Sequence, residues 1–295
     1  MRSYILNIAG FRIKTEQAAE APVPVTPARF INSLVERDDY DLKLRVHRGP
    51  FLLPTGAEMV FHAPVADDKE TGQRITDTEF WDVYSFEERY FIKAVFPGNE
   101  KQMAATMEFS PESCEWDIWI DGDCETADPM AYPMDGLILY YLAVTRGGIM
   151  IHASGINYAG KGYIFSGVSG RGKTTMAGLW KKAGAEVIHD DRLIIRKLNG
   201  GYFFFNTPVY DNEKPLMSPL HAVYLIEHGS VNSAEPVTGA TASGLVLANC
   251  IQHNWNREMI SGLLDAVTDM CEKIPVMKLS FRPDNNVIDF ILNNG

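Results

Sequence analysis

The sequence YIFSGVSGRGKTT, from Tyr163 to Thr175, decides the fold of this chain. An apolar run comes first, then a glycine-rich loop, then residues typical of a helix. The loop matches the phosphate-loop pattern G-x-x-x-x-G-K-[ST], in which Gly172 is the last glycine. This order of strand, loop and helix predicts a phosphate-binding unit. A glycine-rich turn with a chance Lys-Thr pair is the alternative.

The loop contains the residue types that hold phosphate. Glycines let consecutive backbone N–H groups curl around an anion, and a helix N-terminus adds unpaired N–H groups and a favourable dipole. Lys173 is expected to reach the β- and γ-phosphates, and the Thr174 hydroxyl to face a magnesium ion. Arg171 either neutralises phosphoryl charge or points to solvent. The predicted nucleotide contacts are Gly167, Ser169, Gly170, Arg171, Gly172, Lys173, Thr174 and Thr175.

An acidic pair follows the helix predicted after the loop. An apolar run predicts a strand that ends in His189 and the carboxylates of Asp190 and Asp191. Mg²⁺ prefers oxygen ligands, and a metal beside a phosphate loop bridges phosphate oxygens. The pair therefore predicts a metal contact, which we assign to Asp190 together with Thr174. A pair of residues that caps a turn is the alternative.

Composition excludes several classes of partner. The 295 residues carry a net charge of −11, and a broad nucleic-acid surface needs clustered Lys and Arg instead. No apolar run is long enough to cross a bilayer, and the first residues lack the layout of a secretory signal. Four cysteines without a C-x-x-C pair favour the reducing cytoplasm. We therefore expect a cytoplasmic protein with no nucleic-acid and no membrane partner.

Two domains are predicted, 1–128 and 129–295. Alternating stretches such as Asp41–Val46 and Cys114–Asp123 predict half-buried strands, so the first domain is expected to be mostly antiparallel β. Its tryptophans are interpreted as core and rim packing, and sugar or peptide binding is the alternative. A turn-rich segment near Asp128, before a predicted helix, marks the boundary.

A hairpin is predicted immediately before the phosphate loop. Ile149–Tyr158 is an apolar, β-branched run, and the turn residues Ala159–Gly162 join it to the strand that enters the loop. Ordinary phosphate-loop folds connect parallel strands through helical crossovers. The hairpin therefore indicates a different fold.

These features together resemble the nucleotide-binding domain of HPr kinase/phosphorylase and its HPr-kinase-related relatives, which is in turn similar to phosphoenolpyruvate carboxykinase. The matching pieces are the strand with His152, the loop that ends in Lys173-Thr174, the pair Asp190-Asp191, and Arg192 after it. The resemblance implies an α/β (α+β) class. The mostly antiparallel N-terminal β module, which alternation and not the resemblance predicts, would precede a P-loop domain with a mixed sheet and flanking helices.

The resemblance also implies catalytic roles. Lys173 would hold phosphates, and His152 would lie near the transferred phosphate unless it is a core histidine. Asp190 and Asp191 would supply a metal contact and the base for a serine hydroxyl, and the choice of base between them stays open. One segment departs from the family pattern, because Phe205–Pro208 stands where the family carries a further acidic metal ligand.

Three functions remain open at this stage. The first is an ATP-dependent kinase, with ATP and Mg²⁺ as cofactors, that phosphorylates a hydroxyl, such as a serine of a protein or peptide. The second is a nucleotide-binding sensor or assembly module without phosphotransfer. The third, a carboxykinase-like small-molecule enzyme, ranks last because no additional metal-binding His and Lys arrangement is found. The phosphate acceptor is an unknown protein, peptide or small molecule, and a homo-oligomer stays open.

Overall fold

A computed structural model of the protein describes residues 2–19, 26–63, 81–95, 104–121 and 128–294. The chain forms two compact units, each with its own sheet. The first unit is Met1–Leu142 with Val209–Glu213, and the second unit is Ala143–Pro208 with Lys214–Gly295. The domain boundary between residues 128 and 129 stays a prediction.

The first unit is built on a sheet of eight strands. These are β1 Arg2–Ile8, β2 Phe11–Gln17, β3 Leu42–Arg48, β4 Glu58–His62, β5 Trp81–Phe86, β6 Arg89–Val95, β7 Ala104–Phe109 and β8 Glu115–Asp121. The strand order is β1-β2-β3-β8-β7-β6-β5-β4. β3 runs parallel to β2 and β8, and the other neighbours are antiparallel. The prediction of a mostly antiparallel β module is confirmed.

Alternation of side chains explains how this sheet buries one face. In β8, Trp116 and Ile118 are buried, whereas Asp117 between them stays partly exposed. The helix α1, Met134–Thr145, supplies further apolar side chains to the unit. The ring centroid of Phe109 lies 5.2 Å from that of Trp116 and 4.8 Å from that of Tyr141 in α1. A short 3-10 helix, Ala28–Ser33, also belongs to this unit.

The second unit has a mixed sheet with helices. The strands are β9 Ile149–Tyr158, β10 Lys161–Ser166, β11 Glu186–His189, β12 Arg192–Leu198, β13 Gly201–Asn206, β14 Met217–His228, β15 Ser233–Val237 and β16 Val276–Phe281. The helices are α2 Lys173–Lys182, α3 Gly239–Leu247, α4 Arg257–Lys273 and α5 Asn286–Asn294. The order is β10-β9-β12-β13-β14-β16-β15, β11 pairs with β9, and β10 also pairs with β14. The predicted β9–β10 hairpin is confirmed.

The two faces of this sheet pack against different helices. Phe165 lies in one core with Trp180 of α2 and with apolar residues of α5. Its neighbour Ile164 lies in a second core with Val246 of α3 and Val267 of α4. The predicted mixed sheet with flanking helices is therefore confirmed, and so is the α/β class. Among the helices of the described residues, none combines the length and apolar character that a membrane crossing requires.

The phosphate loop leaves the sheet at an edge where several strands meet. β10 is parallel to β14, and β14 is parallel to β16, so all three end at this edge. β9 is antiparallel to β10, so β9 enters the sheet there. The loop therefore emerges between the start of β9 and the end of β14. In open α/β sheets, the carboxyl ends of the strands are the usual place for a ligand.

Candidate functional site

A cavity of about 400 Å³ lies at this edge of the sheet. Two of the predicted nucleotide contacts, Gly167 and Arg171, are not among the residues that line it. The residues that line it come from the loop, from the first turn of α2, from β9, from the turn after β11, and from the end of β14. They are His152, Ser169, Gly170, Gly172, Lys173, Thr174, Thr175, Asp190, Asp191 and His228.

Two glycines give the loop its shape. Gly170 and Gly172 have φ angles of +81° and +93°, which a residue with a side chain rarely adopts. A Cβ atom on Gly172 would lie 2.9 Å from Cε1 of His228 and 2.9 Å from Cζ of Phe281. Gly172 also precedes the first residue of α2. The backbone therefore comes close to the cavity at the point where the helix presents its unpaired N–H groups.

Lys173 is the buried cation of the site. Its side chain is 7% exposed, and Nζ donates hydrogen bonds to the carbonyl oxygens of Gly167 at 2.8 Å and Val168 at 3.4 Å. Burial lowers the pKa of Lys173, and the charge of Asp191 opposes this shift. The Lys173 carbonyl accepts a hydrogen bond from Ser154 Oγ at 3.0 Å, which ties α2 to β9.

His152 and Asp191 form a pair in the wall of the cavity. Asp191 Oδ1 lies 3.2 Å from Nδ1 of His152, and Oδ2 accepts a hydrogen bond from Nε of Arg192 at 3.1 Å. The His152 hydrogen bond and the Arg192 charge lower the pKa of Asp191 to about 2. A backbone hydrogen bond from Ala153 N to Asp191 O, at 3.0 Å, holds the two segments together.

His189 shapes the turn that carries the acidic pair. Its side chain is buried, and Nδ1 accepts hydrogen bonds from the backbone N–H groups of Asp191 at 3.1 Å and Arg192 at 3.2 Å. These contacts close the turn between β11 and β12. Asp190 lines the same cavity as Lys173.

His228 is a cavity residue that the sequence analysis missed. It is the last residue of β14, it is exposed, and its ring centroid lies 5.3 Å from that of Phe281. No motif surrounds it. The sequence carries no signal for it, because only the parallel pairing of β14 with β10 brings the end of β14 beside the loop.

The segment that departs from the family pattern has structural contacts. Asn206 Oδ1 accepts a hydrogen bond from Leu216 N at 2.8 Å, and Nδ2 donates to the Lys214 carbonyl at 3.0 Å. The Thr207 hydroxyl donates to the Arg192 carbonyl at 3.0 Å. This segment therefore supports the strand ends around the site and brings no carboxylate to it.

The donor set of the cavity fits a nucleotide phosphate and a hard cation. The glycine backbone and Lys173 would hold phosphate oxygens, and the Thr174 hydroxyl and Asp190 carboxylate would hold Mg²⁺. Among the described residues, no group of three or more His, Cys, Asp and Glu side chains forms a metal site. Mg²⁺ commonly binds through one or two protein oxygens and takes its other ligands from phosphates and water.

Comparison with known proteins adds only distant likeness to solved structures. No family model and no curated protein matches the chain. Among solved structures, the HPr(Ser) kinase/phosphatase from Coxiella burnetii is similar over 49% of this chain and 88% of its own, with 10% sequence identity and a TM-score of 0.29. At this identity and TM-score the likeness carries no argument about function, which has to come from the residues of the cavity.

Proposed function

We propose that this chain is an ATP-dependent kinase that transfers a phosphoryl group from MgATP to a hydroxyl of a protein, peptide or small molecule. One observation carries the proposal: a phosphate loop, a buried lysine and a carboxylate–histidine pair line the same cavity. Phosphoryl transfer needs little covalent help from a protein, and it depends mainly on positioning and charge stabilisation. The groups in the cavity supply both.

Lys173 and the first turn of α2 bind the phosphate chain in this proposal. Nζ of Lys173 now donates to neutral carbonyl oxygens. Phosphate oxygens would replace them, and a charge-assisted hydrogen bond is roughly twice as strong as a neutral one. Thr174 and Asp190 would hold Mg²⁺, which neutralises charge on the phosphate oxygens when it is bound.

His152 accepts the proton of the acceptor hydroxyl. Because Nδ1 faces the Asp191 carboxylate, we assign the imidazole proton to Nδ1, which leaves Nε2 as an acceptor. The side chain of His152 is 45% exposed, so a hydroxyl can reach it. Asp191, with a pKa of about 2, stays ionised and orients the imidazole. Neither carboxylate then has to act as the base.

The nucleotide-binding step is tested by calorimetry with MgATP on the wild type, Lys173→Met and Lys181→Met. Lys181 is an exposed lysine of the same helix, so its substitution is the matched control. We expect Lys173→Met to weaken binding about a hundredfold, because it loses charge-assisted bonds to phosphate, and Lys181→Met to bind normally. Equal affinities of all three proteins, or no binding by the wild type, would rule the proposal out.

The transfer step is tested with γ-labelled ATP and Mg²⁺ against serine-, threonine- and tyrosine-containing peptides and small alcohols. Label in an acceptor, dependent on His152 and Asp191, supports the kinase. Thermal unfolding of each variant controls for loss of fold. Label that appears equally with His152→Gln would contradict the assigned proton acceptor and leave the kinase standing.

A second candidate function is a nucleotide-responsive module without phosphotransfer. Asn206 and Thr207 favour it, since they stand where the resembling family has an acidic metal ligand and their side chains serve structural hydrogen bonds. In this case MgATP binds to the wild type, no acceptor gains label, and the γ-phosphate is not lost during prolonged incubation.

A further inference from the structure

Two histidines flank the phosphate loop, one on each strand next to β10. Ser166, the last residue of β10, pairs with Ala153 of β9 and with Leu225 of β14. His152 and His228 lie beyond these pairs at the loop edge of the sheet, and both line the cavity. Their partners differ: His152 faces a carboxylate, whereas His228 lies against an aromatic ring.

The imidazole of His228 is held in place by its neighbours. Its ring lies against Phe281 with an interplanar angle of 33°. An ideal Cβ on Gly172 would be 2.9 Å from Cε1 and 3.3 Å from Nε2 of His228, so the ring edge rests on the loop backbone. The side chain is nevertheless exposed and faces the cavity. His228 therefore presents a fixed planar surface beside the phosphate-binding turn.

The direction of a bound nucleotide follows from the positions of the acids. If the γ-phosphate is to be transferred, it has to lie near the groups that hold the metal and accept the proton. These are His152 of β9 and Asp190 and Asp191 of the β11–β12 turn, on the β9 side of β10. The phosphate chain then leads the nucleoside to the opposite side of β10, where β14 and β16 end.

We propose that His228, backed by Phe281, is the surface on which the base of the bound nucleotide stacks. This inference rests on the proposed function and adds the place of the base to it. Stacking on an aromatic side chain is tolerant of base identity, because each base offers a π-face. His228 is thus a nucleotide-contact residue that acts on the nucleoside end, away from the reacting phosphate.

The test compares MgATP with inorganic triphosphate and Mg²⁺, which lacks the base. Calorimetry is done on the wild type, His228→Ala, His228→Phe and the control His221→Ala, a residue of the same strand outside the cavity wall. We expect His228→Ala to weaken MgATP binding about tenfold and to leave triphosphate binding unchanged. His228→Phe keeps a planar ring and should bind MgATP within threefold of the wild type.

Each other outcome overturns the inference in a recognisable way. An equal loss of both ligands in His228→Ala would mean that His228 contacts phosphate and not the base. Unchanged affinity of both ligands in that variant would mean that His228 contacts neither. If the wild type binds neither ligand, the proposed function itself fails, and the inference fails with it. Thermal unfolding of His228→Phe and His228→Ala shows that the compared proteins are folded.

Discussion

Two aspartates, one in each unit, are held by hydrogen bonds, yet their pKa values move in opposite directions. In the first unit, Asp128 is 3% exposed and accepts hydrogen bonds from the Tyr4 hydroxyl at 2.6 Å and from Met130 N at 2.7 Å. Burial raises its pKa to about 6. In the second unit, the Asp191 side chain is 42% exposed, and its contacts lower its pKa to about 2.

The difference shows whether burial or the hydrogen bonds and nearby charges determine the pKa of each aspartate. For Asp128, the cost of removing a charge from water exceeds the stabilisation from its hydrogen bonds and from the charges of Arg48 and Arg29. For Asp191, solvent reduces that cost, so the hydrogen bond from His152 and the charge of Arg192 prevail. A carboxylate that stays ionised beside a cavity is suited to chemistry, whereas Asp128 is suited to a structural role.

The largest expected effect is on the rate of phosphoryl transfer, which should depend on Asp191 and not on Asp128. On the proposed function, Asp191→Asn should lower the transfer rate about a thousandfold, because His152 loses the partner that fixes its tautomer. Asp128→Asn should leave the rate within threefold of the wild type. The rates are measured with γ-labelled ATP at saturating MgATP. Similar losses of the transfer rate in both variants would contradict the assignment of a specific role in transfer to Asp191.

The next effect is the pH dependence of the first unit. Folded Asp128 keeps its proton up to about pH 6, whereas in the unfolded chain it ionises near the ordinary aspartate pKa of 3.8. The folded state therefore binds more protons between these values, and the free energy of unfolding falls as the pH rises, by up to about 3 kcal/mol. Above pH 6 the fall is complete.

This prediction is measured by denaturant-dependent hydrogen exchange of β1 and β2 at pH 4, 5, 6 and 7, where the exchange rates are corrected for pH. In Asp128→Asn, where the side chain at this position does not titrate, the free energy of unfolding should no longer fall as the pH rises. If the first unit of the wild type instead gains stability between pH 4 and pH 6, the hydrogen bonds of Asp128, and not its burial, determine its pKa.

A smaller effect is expected for Tyr4→Phe at neutral pH. The substitution removes the hydroxyl that donates to Asp128 Oδ2 and leaves a buried acceptor without this donor. The free energy of unfolding should fall by about 1–2 kcal/mol. Tyr40→Phe, in the same unit, is the control and should change it by less than about 0.5 kcal/mol. Equal values for the two variants would mean that the hydrogen bond to Asp128 contributes nothing.

The smallest expected effect is the loss, at low pH, of the contribution that Asp191 makes to the free energy of unfolding. Its folded pKa is below its unfolded value, so its contribution to stability is present above about pH 4 and is lost as the pH falls towards 2. Because the Asp191 side chain is partly exposed, solvent screening reduces this contribution to about 1 kcal/mol. Hydrogen exchange of β9 and β10 in Mg²⁺-free buffer measures it. The stability of Asp191→Asn should fall less between pH 4 and pH 2 than that of the wild type. If the two proteins lose stability equally over this range, Asp191 is not the group responsible.

Several elements of the second unit could be predicted because their signals are local. The β9–β10 hairpin and α2 follow from apolar runs and glycines that are contiguous in the sequence. β15 and α5 were missed. β15 contains Pro236 and lies at the edge of the sheet, where a strand needs neither alternation nor a full set of N–H donors. α5 is short and depends on the core that it covers.

The sequence by itself determined the phosphate loop, because positive φ angles at Gly170 and Gly172, a lysine and a helix start are properties of adjacent residues. Only the tertiary structure decided which distant side chains meet that loop. The register that pairs His152 with Arg192 brings Asp191 to the imidazole, and parallel pairing of β10 with β14 brings His228 to the other side. Both pairings use backbone groups that almost every residue has, so the side-chain sequence carries no local record of them.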